Sequence, residues 1–239
     1  MTWSIVAHER ATGAFAVAVT TCAFAVGASC PYVRAGVGAV STQSMTNRYL
    51  GPAVLDGMAR GLSPAAAIEG ALAGDDGRGL RQVHAVDRHG RSAAYTGANC
   101  VEWCGEITSS FVSVAGNMLA GAAVLADTYA AYVTNCGLAL PERLLAGLDA
   151  GEAAGGDRRG RQSAALVMVT TEDFPDLSLR VDDHAQPIAE LRRIFGIWQR
   201  DRAPYLQDQP SKARPSGSTD LDAIEERWAK AGLDLRFRR

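Results

Sequence analysis

Strand-forming runs in this chain come in groups, and helix-forming runs come in pairs between them. Residues 3–9 (WSIVAHE) and 14–21 (AFAVAVTT) are short, apolar and β-rich, and Arg10-Ala11-Thr12-Gly13 between them is a turn sequence. They read as a hairpin. A third strand is expected over 37–43 (VGAVSTQ). Two helices follow: 51–61, with Val54, Leu55, Met58 and Ala59 at helical spacing, and 63–74, with Ser63 as N-cap and Pro64 at the first helical position. Strands are then expected over 81–87, 91–97 and 109–116, helices over about 120–135 and 141–153, strands over 163–171 and 177–183, and a helix from Pro187 to about Gln199. This grouping predicts a layered α+β fold with mostly antiparallel sheets, not alternating β-α units.

After residue 200 the composition changes. Residues 204–219 (PYLQDQPSKARPSGST) read as a linker, and 220–231 (DLDAIEERWAKA) as a short amphipathic helix. The expected organisation is therefore a main domain over 1–200 and a Pro/Ser-rich linker with a short helix over 201–239. Phe195 and Trp198, near the end of the last main-domain helix, are the expected anchors of self-association into a homo-oligomer.

Composition narrows the function classes. The 239 residues carry a formal charge of −2, with 47% apolar and 21% charged residues. That is a globular average and gives no electrostatic basis for nucleic acid or an anionic membrane as partner. No apolar run is long enough to cross a bilayer, and MTWSIVAHER lacks the pattern of a secretory leader. Five scattered cysteines fit a reduced, cytoplasmic protein better than a disulfide scaffold. Among the 24 basic residues, the lysines are Lys212 and Lys230, both in the tail.

Thr2 is the first candidate for chemistry. An initiator methionine is normally removed ahead of a small residue, which would leave a threonine with its hydroxyl and a free α-amine. Such an amine, with an ordinary pKa of roughly 7.7–8, can accept the hydroxyl proton directly or through water. Nucleophile and base then reside on one residue.

Several segments together carry a family resemblance: T2-WSIVA-7 followed by ATG and AVAV, Y32-VRAGVGAVSTQ-43, Y95-TGANC-100 and A115-GNMLAG-121. To these are added G155-GDRRGRQSAAL-166 and R180-VDDHAQPIAELRR-193, the most specific of the set. The chain resembles the domain-of-unknown-function 1028 family, within the N-terminal-nucleophile (Ntn) hydrolase-like superfamily, over roughly residues 2–195. The resemblance implies a four-layer αββα sandwich of two mostly antiparallel sheets, and it leaves the reaction open.

The jobs of an Ntn site map onto the sequence as follows. An oxyanion needs preorganised donors; Thr42-Gln43-Ser44 and Asn117 are candidates, with a helix N-cap as the alternative role for Asn117. By order of elements, Asp157 and Ser163 look like the residues that steady the N-terminal amine in threonine-type enzymes. Asp157 alternatively pairs with Arg159 or Arg161 in its glycine-rich turn. One of those arginines suits a substrate carboxylate and the other a structural bond. Gln162 either orients a substrate amide or caps a strand, and Gln43 is counted with Arg159, Arg161 and Gln162 as substrate-binding. Proteasome-type threonine hydrolases place a lysine beneath the nucleophile; here Arg34 offers a charge in that role but cannot shuttle a proton.

Other clusters read as structural. Adjacent strand residues point to opposite faces, so of Asp182, Asp183 and His184 only the first and third share a side. A salt bridge to Arg180 or Arg192 is expected there, not a metal. Cys100 and Cys104 have no second pair to complete a zinc site. The expected function is hydrolysis of an amide C–N bond in a small, carboxylate-bearing substrate by Thr2, with Asn117, Asp157 and Ser163 completing the site and no cofactor. The alternative is a non-catalytic small-molecule-binding or regulatory protein on the same fold. A third reading places the nucleophile on Cys100.

Overall fold

The computed structural model describes residues 2–233; Met1, whose removal the threonine reading requires, lies outside the described residues. Two compact units divide the chain, Met1–Leu191 and Arg192–Arg239.

In the first unit two antiparallel sheets form. The six-stranded sheet runs β10-β9-β2-β1-β8-β7, and its members are β1 (Thr2–Glu9), β2 (Ala14–Thr21), β7 (Gly105–Ser109), β8 (Val112–Asn117), β9 (Ser163–Val169) and β10 (Leu177–Val181). The four-stranded sheet runs in sequence order through β3 (Pro31–Arg34), β4 (Gly38–Ser44), β5 (Arg81–Asp87) and β6 (Ser92–Thr96). β1 and β2 form the expected hairpin, with Gly13 at φ 78° supplying the left-handed turn residue.

Helices α1 (Leu50–Ala59) and α2 (Pro64–Leu72) cover the outer face of the four-stranded sheet. Val54, Leu55, Met58, Ile68 and Leu72 pack on Val40, Val83 and Ala85. Ser63 caps α2 as expected, its Oγ accepting the Ala66 N–H at 3.2 Å. On the six-stranded sheet, α3 (Ala123–Thr134) and α4 (Leu140–Ala153) play the equivalent part. Here the approach is close: a Cβ on Gly147 would sit 2.6 Å from Ile5 Cδ1, and one on Gly151 would sit 2.9 Å from Trp3 Nε1. Each fully buried Ile or Leu of these layers contributes about 1.5–3 kcal/mol through removal from water.

The sheets' inner faces meet each other, and their composition is graded. Strand alternation puts Thr2, Ser4 and Val6 of β1 on the inner face. At one end lie Ser4, Ser41, Gln43, Gln82, His84, Ser113 and Asn117, all buried. At the other end the layer is Val6, Phe15, Val17, Ala39, Val86 and Val169. Polar and apolar halves thus lie end to end between the same two sheets.

Two strands have no counterpart in the sequence-based reading. β3 and β7 are short edge strands of mixed polarity, PYVR and GEITS, one beginning with proline. Edge positions tolerate such sequences because only one side of the strand is paired.

α5 (Pro187–Ile197) leads into the second unit. Of the 201–239 region, the described residues 201–233 hold more structure than a linker and one helix: α6 (Ala203–Leu206) and α7 (Leu221–Lys230) enclose a folded loop. Asp208 accepts hydrogen bonds from Ser218 Oγ at 2.7 Å, Arg227 Nη2 at 2.5 Å and Trp228 Nε1 at 2.9 Å. The Trp228 ring also lies 4.3 Å from that of Tyr205. Phe195 is itself buried and stacks on Trp198, with centroids 5.9 Å apart.

Candidate active site

Strand register brings the N-terminal end of β1 to the polar end of the inter-sheet layer. Thr2 pairs with Asn117 on β8, and Thr21, the last residue of β2, pairs with Ser163, the first of β9. Thr2 Oγ1 lies 3.2 Å from Thr21 Oγ1. Four strand ends thereby converge, and the loop after β2 and the turn before β9 close over them.

The Thr2 carbonyl is held by two buried amides, Gln43 Nε2 at 3.5 Å and Asn117 Nδ2 at 3.4 Å. Behind them Gln82 Oε1 accepts from both, at 2.9 Å each. Gln82 Nε2 in turn donates to Thr96 Oγ1 and to the carbonyls of Gly105 and Gly116. Gln43 also bonds the Ala115 carbonyl, and its Oε1 accepts from Ser4 Oγ at 2.8 Å. The Thr2 main chain is therefore fixed by a fully enclosed amide network, of the kind that rigidifies when every member is satisfied.

This corrects the expectation that Gln43 contacts substrate. Its position is wholly enclosed, with no solvent exposure, because strand alternation turns it into the inter-sheet layer and not toward the loop. Asn117 departs from both expected roles. It caps no helix, since α3 begins at Ala123, and its amide is engaged by Gln82 and the Thr2 carbonyl. The N–H groups of Met118, Leu119 and Ala120 are likewise taken, by the carbonyls of Val101, Trp103 and Gly156.

Asp157 and Ser163 both hold the loop that follows Thr21. Asp157 Oδ2 accepts the Cys22 N–H at 2.7 Å and Oδ1 the Arg159 N–H at 2.8 Å. Ser163 Oγ donates to the Ala23 carbonyl at 2.6 Å and accepts the Val26 N–H at 3.1 Å. Leu119 and Asp157 form an isolated β-bridge, which ties the 155–160 turn to the end of β8. Asp157, Ser163, Asn117 and Thr2 are thus gathered at one end of the sheet, linked through Thr21 and Cys22.

The arginines separate. Arg159 Nη2 reaches Asp157 at 3.3 Å, whereas Arg161 bonds Glu152 and Gln186. Gln162 Nε2 donates to Asp183 at 3.2 Å. Arg34 is out of reach. It sits at the far end of β3 opposite Gly38 and pairs with Asp56 at 2.9 Å, while Thr2 is held by Gln43 at the other end of β4. The groups bonded around Thr2 are hydroxyls and neutral amides.

Asp182 pairs with Arg180, as the sequence suggests, with an oxygen 2.8 Å from the guanidinium. Among the described residues, no three His, Cys, Asp or Glu side chains cluster as metal ligands would, and no helix is long and apolar enough to cross a membrane. Cys100 Sγ donates to the Arg81 carbonyl at 3.3 Å. Burial pushes the Cys104 thiol up, and takes Cys30 up to about 11.

Backbone conformation sets this end apart. Ser44 and Met118 hold φ of 71° and 53° at, or just past, the end of a strand that stops beside Thr2, and Ala25 holds φ of 55° in the loop that follows Thr21. Non-glycine residues held there store strain of order 1–3 kcal/mol each, a feature that clusters at functional sites. The 45–47 segment beyond Ser44 is in turn braced by Asp75. Its carboxylate takes Arg81 Nε at 2.9 Å and Asn47 Nδ2 at 2.9 Å, which hold its pKa well below the carboxylate range.

Residues 2–191 match the family described as a family of unknown function, DUF1028. The chain belongs to the DUF1028 family. Protein SPO2555 from Silicibacter pomeroyi, a DUF1028 protein with a crystal structure, superposes with a TM-score of 0.85 at 30% identity, over 92% of this chain and 96% of that one. Anbu (ancestral beta-subunit) from Yersinia bercovieri superposes at a TM-score of only 0.36 and 8% identity, over 82% of this chain and 94% of that one. No curated protein matches the chain.

Sequence reasoning about this DUF1028 protein missed Thr21, Gln82 and Ser4. For Ser4 and Gln82 a signal was present: Ser4 sits between Trp3 and Ile5, and Gln82 and His84 alternate with Val83 and Ala85, the mark of a polar inner face; Thr21, between Thr20 and Cys22, carried none.

Proposed function

We propose that this DUF1028 protein is an Ntn-type hydrolase, built as an αββα sandwich, that cleaves an amide C–N bond in a small carboxylate-bearing molecule. The observation that carries the reading is the seat of Thr2. It opens β1 on the inner face, with Oγ1 3.2 Å from Thr21 Oγ1 and its carbonyl held by Gln43 and Asn117. Removal of Met1 would place an amine on the same residue, beside the loop that Asp157 and Ser163 hold.

In this scheme Thr2 Oγ attacks the substrate carbonyl carbon while the Thr2 amine takes the hydroxyl proton. The amine then delivers that proton to the leaving nitrogen as the C–N bond breaks, leaving an ester on Thr2. A water, deprotonated by the same amine, attacks the ester; the product carboxylic acid departs and Thr2 recovers its proton. Asn117 acts as a positioning residue, and the oxyanion role is assigned to the N–H groups of Ala23 and Phe24, since those of Cys22, Ala25 and Val26 in the same loop are engaged by Asp157, Asp182 and Ser163. Arg159, beside Asp157, is the arginine assigned to the substrate carboxylate.

The binding-protein reading draws on the lack of a lysine within the first 211 residues. Two measurements decide. Intact-mass analysis should show loss of Met1 and an unmodified threonine. A screen of small amides, ureides and acyl-amino acids should then show turnover by the native protein, at least about a hundredfold reduced in Thr2→Ala. A retained Met1, an acetylated Thr2, or equal turnover by the variant defeats the hydrolase reading.

A further inference from the structure

At the opposite end of β1, an eight-residue strand and so about 23 Å from Thr2 at roughly 3.3 Å per residue, the surface opens into a recess of about 530 Å³. That volume suits a small organic ligand. Its wall is aromatic: Phe111, Tyr129 and Tyr132 line it together with His8. The His8 ring is stacked on Phe15 at 4.3 Å and tilted against Phe111 at 5.7 Å.

The charged groups of the lining are two guanidiniums, Arg10 and Arg143, against one carboxylate, Glu9. Arg143 lies with its guanidinium carbon 4.2 Å over the Tyr132 ring, a cation–π placement that fixes the fork. Glu9 meets it only at 3.9 Å, and the other Glu9 oxygen is held by Thr12 Oγ1 at 2.7 Å. Arg143 Nε is buried without a hydrogen-bond partner. With Nε enclosed, the terminal Nη1 and Nη2 groups are the donors left to a ligand, since the Arg143 side chain keeps 15% of its surface exposed.

A separate observation concerns Phe111. It holds φ of 69°, unfavourable for an aromatic residue, and its carbonyl accepts the His8 N–H at 2.9 Å. Its ring fills the space left by the missing side chain of Gly90, where any Cβ would collide with it. The backbone is thus held in a strained form that keeps this ring on the recess wall.

We propose that the recess is a second binding site, distinct from the Thr2 end, for a small planar carboxylate whose ring lies among Phe111, Tyr129 and Tyr132 while its carboxylate engages the Arg143 fork. The guanidinium offers two parallel donors to a carboxylate, a geometry that an uncharged amide cannot match. The inference is independent of whether Thr2 is a nucleophile.

The test uses benzoate and its neutral isostere benzamide, titrated into the full chain by calorimetry and by NMR of the His8 imidazole. Benzoate is expected to bind with Kd of about 1 mM or tighter and to shift the His8 signals, with benzamide at least about tenfold weaker. Arg143→Met should weaken benzoate about tenfold or more and leave benzamide unchanged, whereas Thr2→Ala should change neither. If Arg143→Met does not fold, Arg143→Lys, which keeps the charge and loses the fork, should show the same loss. Equal binding of the two probes, no His8 shift, or benzoate affinity that follows Thr2 instead of Arg143 overturns the assignment.

Discussion

Ser4 Oγ and His84 Nε2 stand 2.7 Å apart in the inter-sheet layer, both residues without solvent exposure. The surrounding bonds orient the Gln43 amide. Gln43 Nε2 faces the carbonyls of Thr2 and Ala115, which can only accept, so Gln43 Oε1 must face Ser4. Ser4 Oγ also lies 3.0 Å from Ser41 Oγ, so Ser4 joins Gln43, Ser41 and His84 in one buried cluster. Ser113 Oγ lies 3.0 Å from Nδ1, so each ring nitrogen has a hydroxyl partner. The pattern is complete with a neutral ring.

Acid should weaken the fold through this histidine. Burial lowers the His84 pKa from 6.5 to about 3. A group that resists protonation only when folded stabilises fully above its unfolded pKa, and that contribution is lost as pH falls from 6.5 toward 3. Between pH 7 and pH 5 the loss is about 2 kcal/mol. Denaturant titrations at the two pH values should show it in the native protein, and the His84→Gln variant should lack that component. An identical pH slope in the variant contradicts the assignment.

Gln43→Leu should act on stability and not on ligand affinity. It leaves Ser4, Gln82 and the Ala115 carbonyl short of partners inside the sheets, a loss of about 2–4 kcal/mol. Thermal melting reads the effect. A variant of native stability with a raised KM would instead restore the substrate-contact role.

Gly151→Ala should destabilise by about 1–3 kcal/mol through overpacking. The added methyl would press on Thr128 Oγ1 and lie 2.9 Å from Trp3 Nε1, where α4 rides on β1. Chemical denaturation checks the magnitude; an unchanged midpoint would mean that α4 is free to shift away from the sheet.

Asp208→Asn should loosen the second unit alone. Burial pushes the Asp208 carboxyl up, but the donors from Ser218, Arg227 and Trp228 outweigh it, and its pKa sits below the ordinary value. The group therefore stabilises above the carboxylate range, and that contribution disappears as pH falls through it. Limited proteolysis should cut the variant within 207–218 about tenfold faster, with residues 2–191 as resistant as before. Cleavage at the native rate would show that the aromatic contact of Tyr205 and Trp228 suffices without the charge.

The elements with strong periodicity, or with a cap or turn signal, were legible in the sequence: the β1–β2 hairpin, α2 behind Ser63, and the helix pairs. The edge strands β3 and β7 were not, because four or five half-exposed residues carry little alternation. At the candidate site, chain order placed Asp157 and Ser163 at the same end as Thr2. It could not show that their acceptors and donors hold the Cys22–Val26 loop, since those bonds span more than 130 residues. Gln43 misled because its position next to a loop suggested access, while strand parity buried it. Arg34 misled because nothing local reveals which end of a short edge strand a side chain occupies.

The graded layer between the sheets also dictates how they are superposed. Sliding one sheet along the other by two residues, roughly 7 Å, would set amides of Gln43 and Gln82 against valines such as Val6 and Val17. Each stranded donor there would lose a few kcal/mol. The chemistry of the layer works as a key cut in one direction, admitting a single alignment of the halves and so fixing where the first threonine comes to rest.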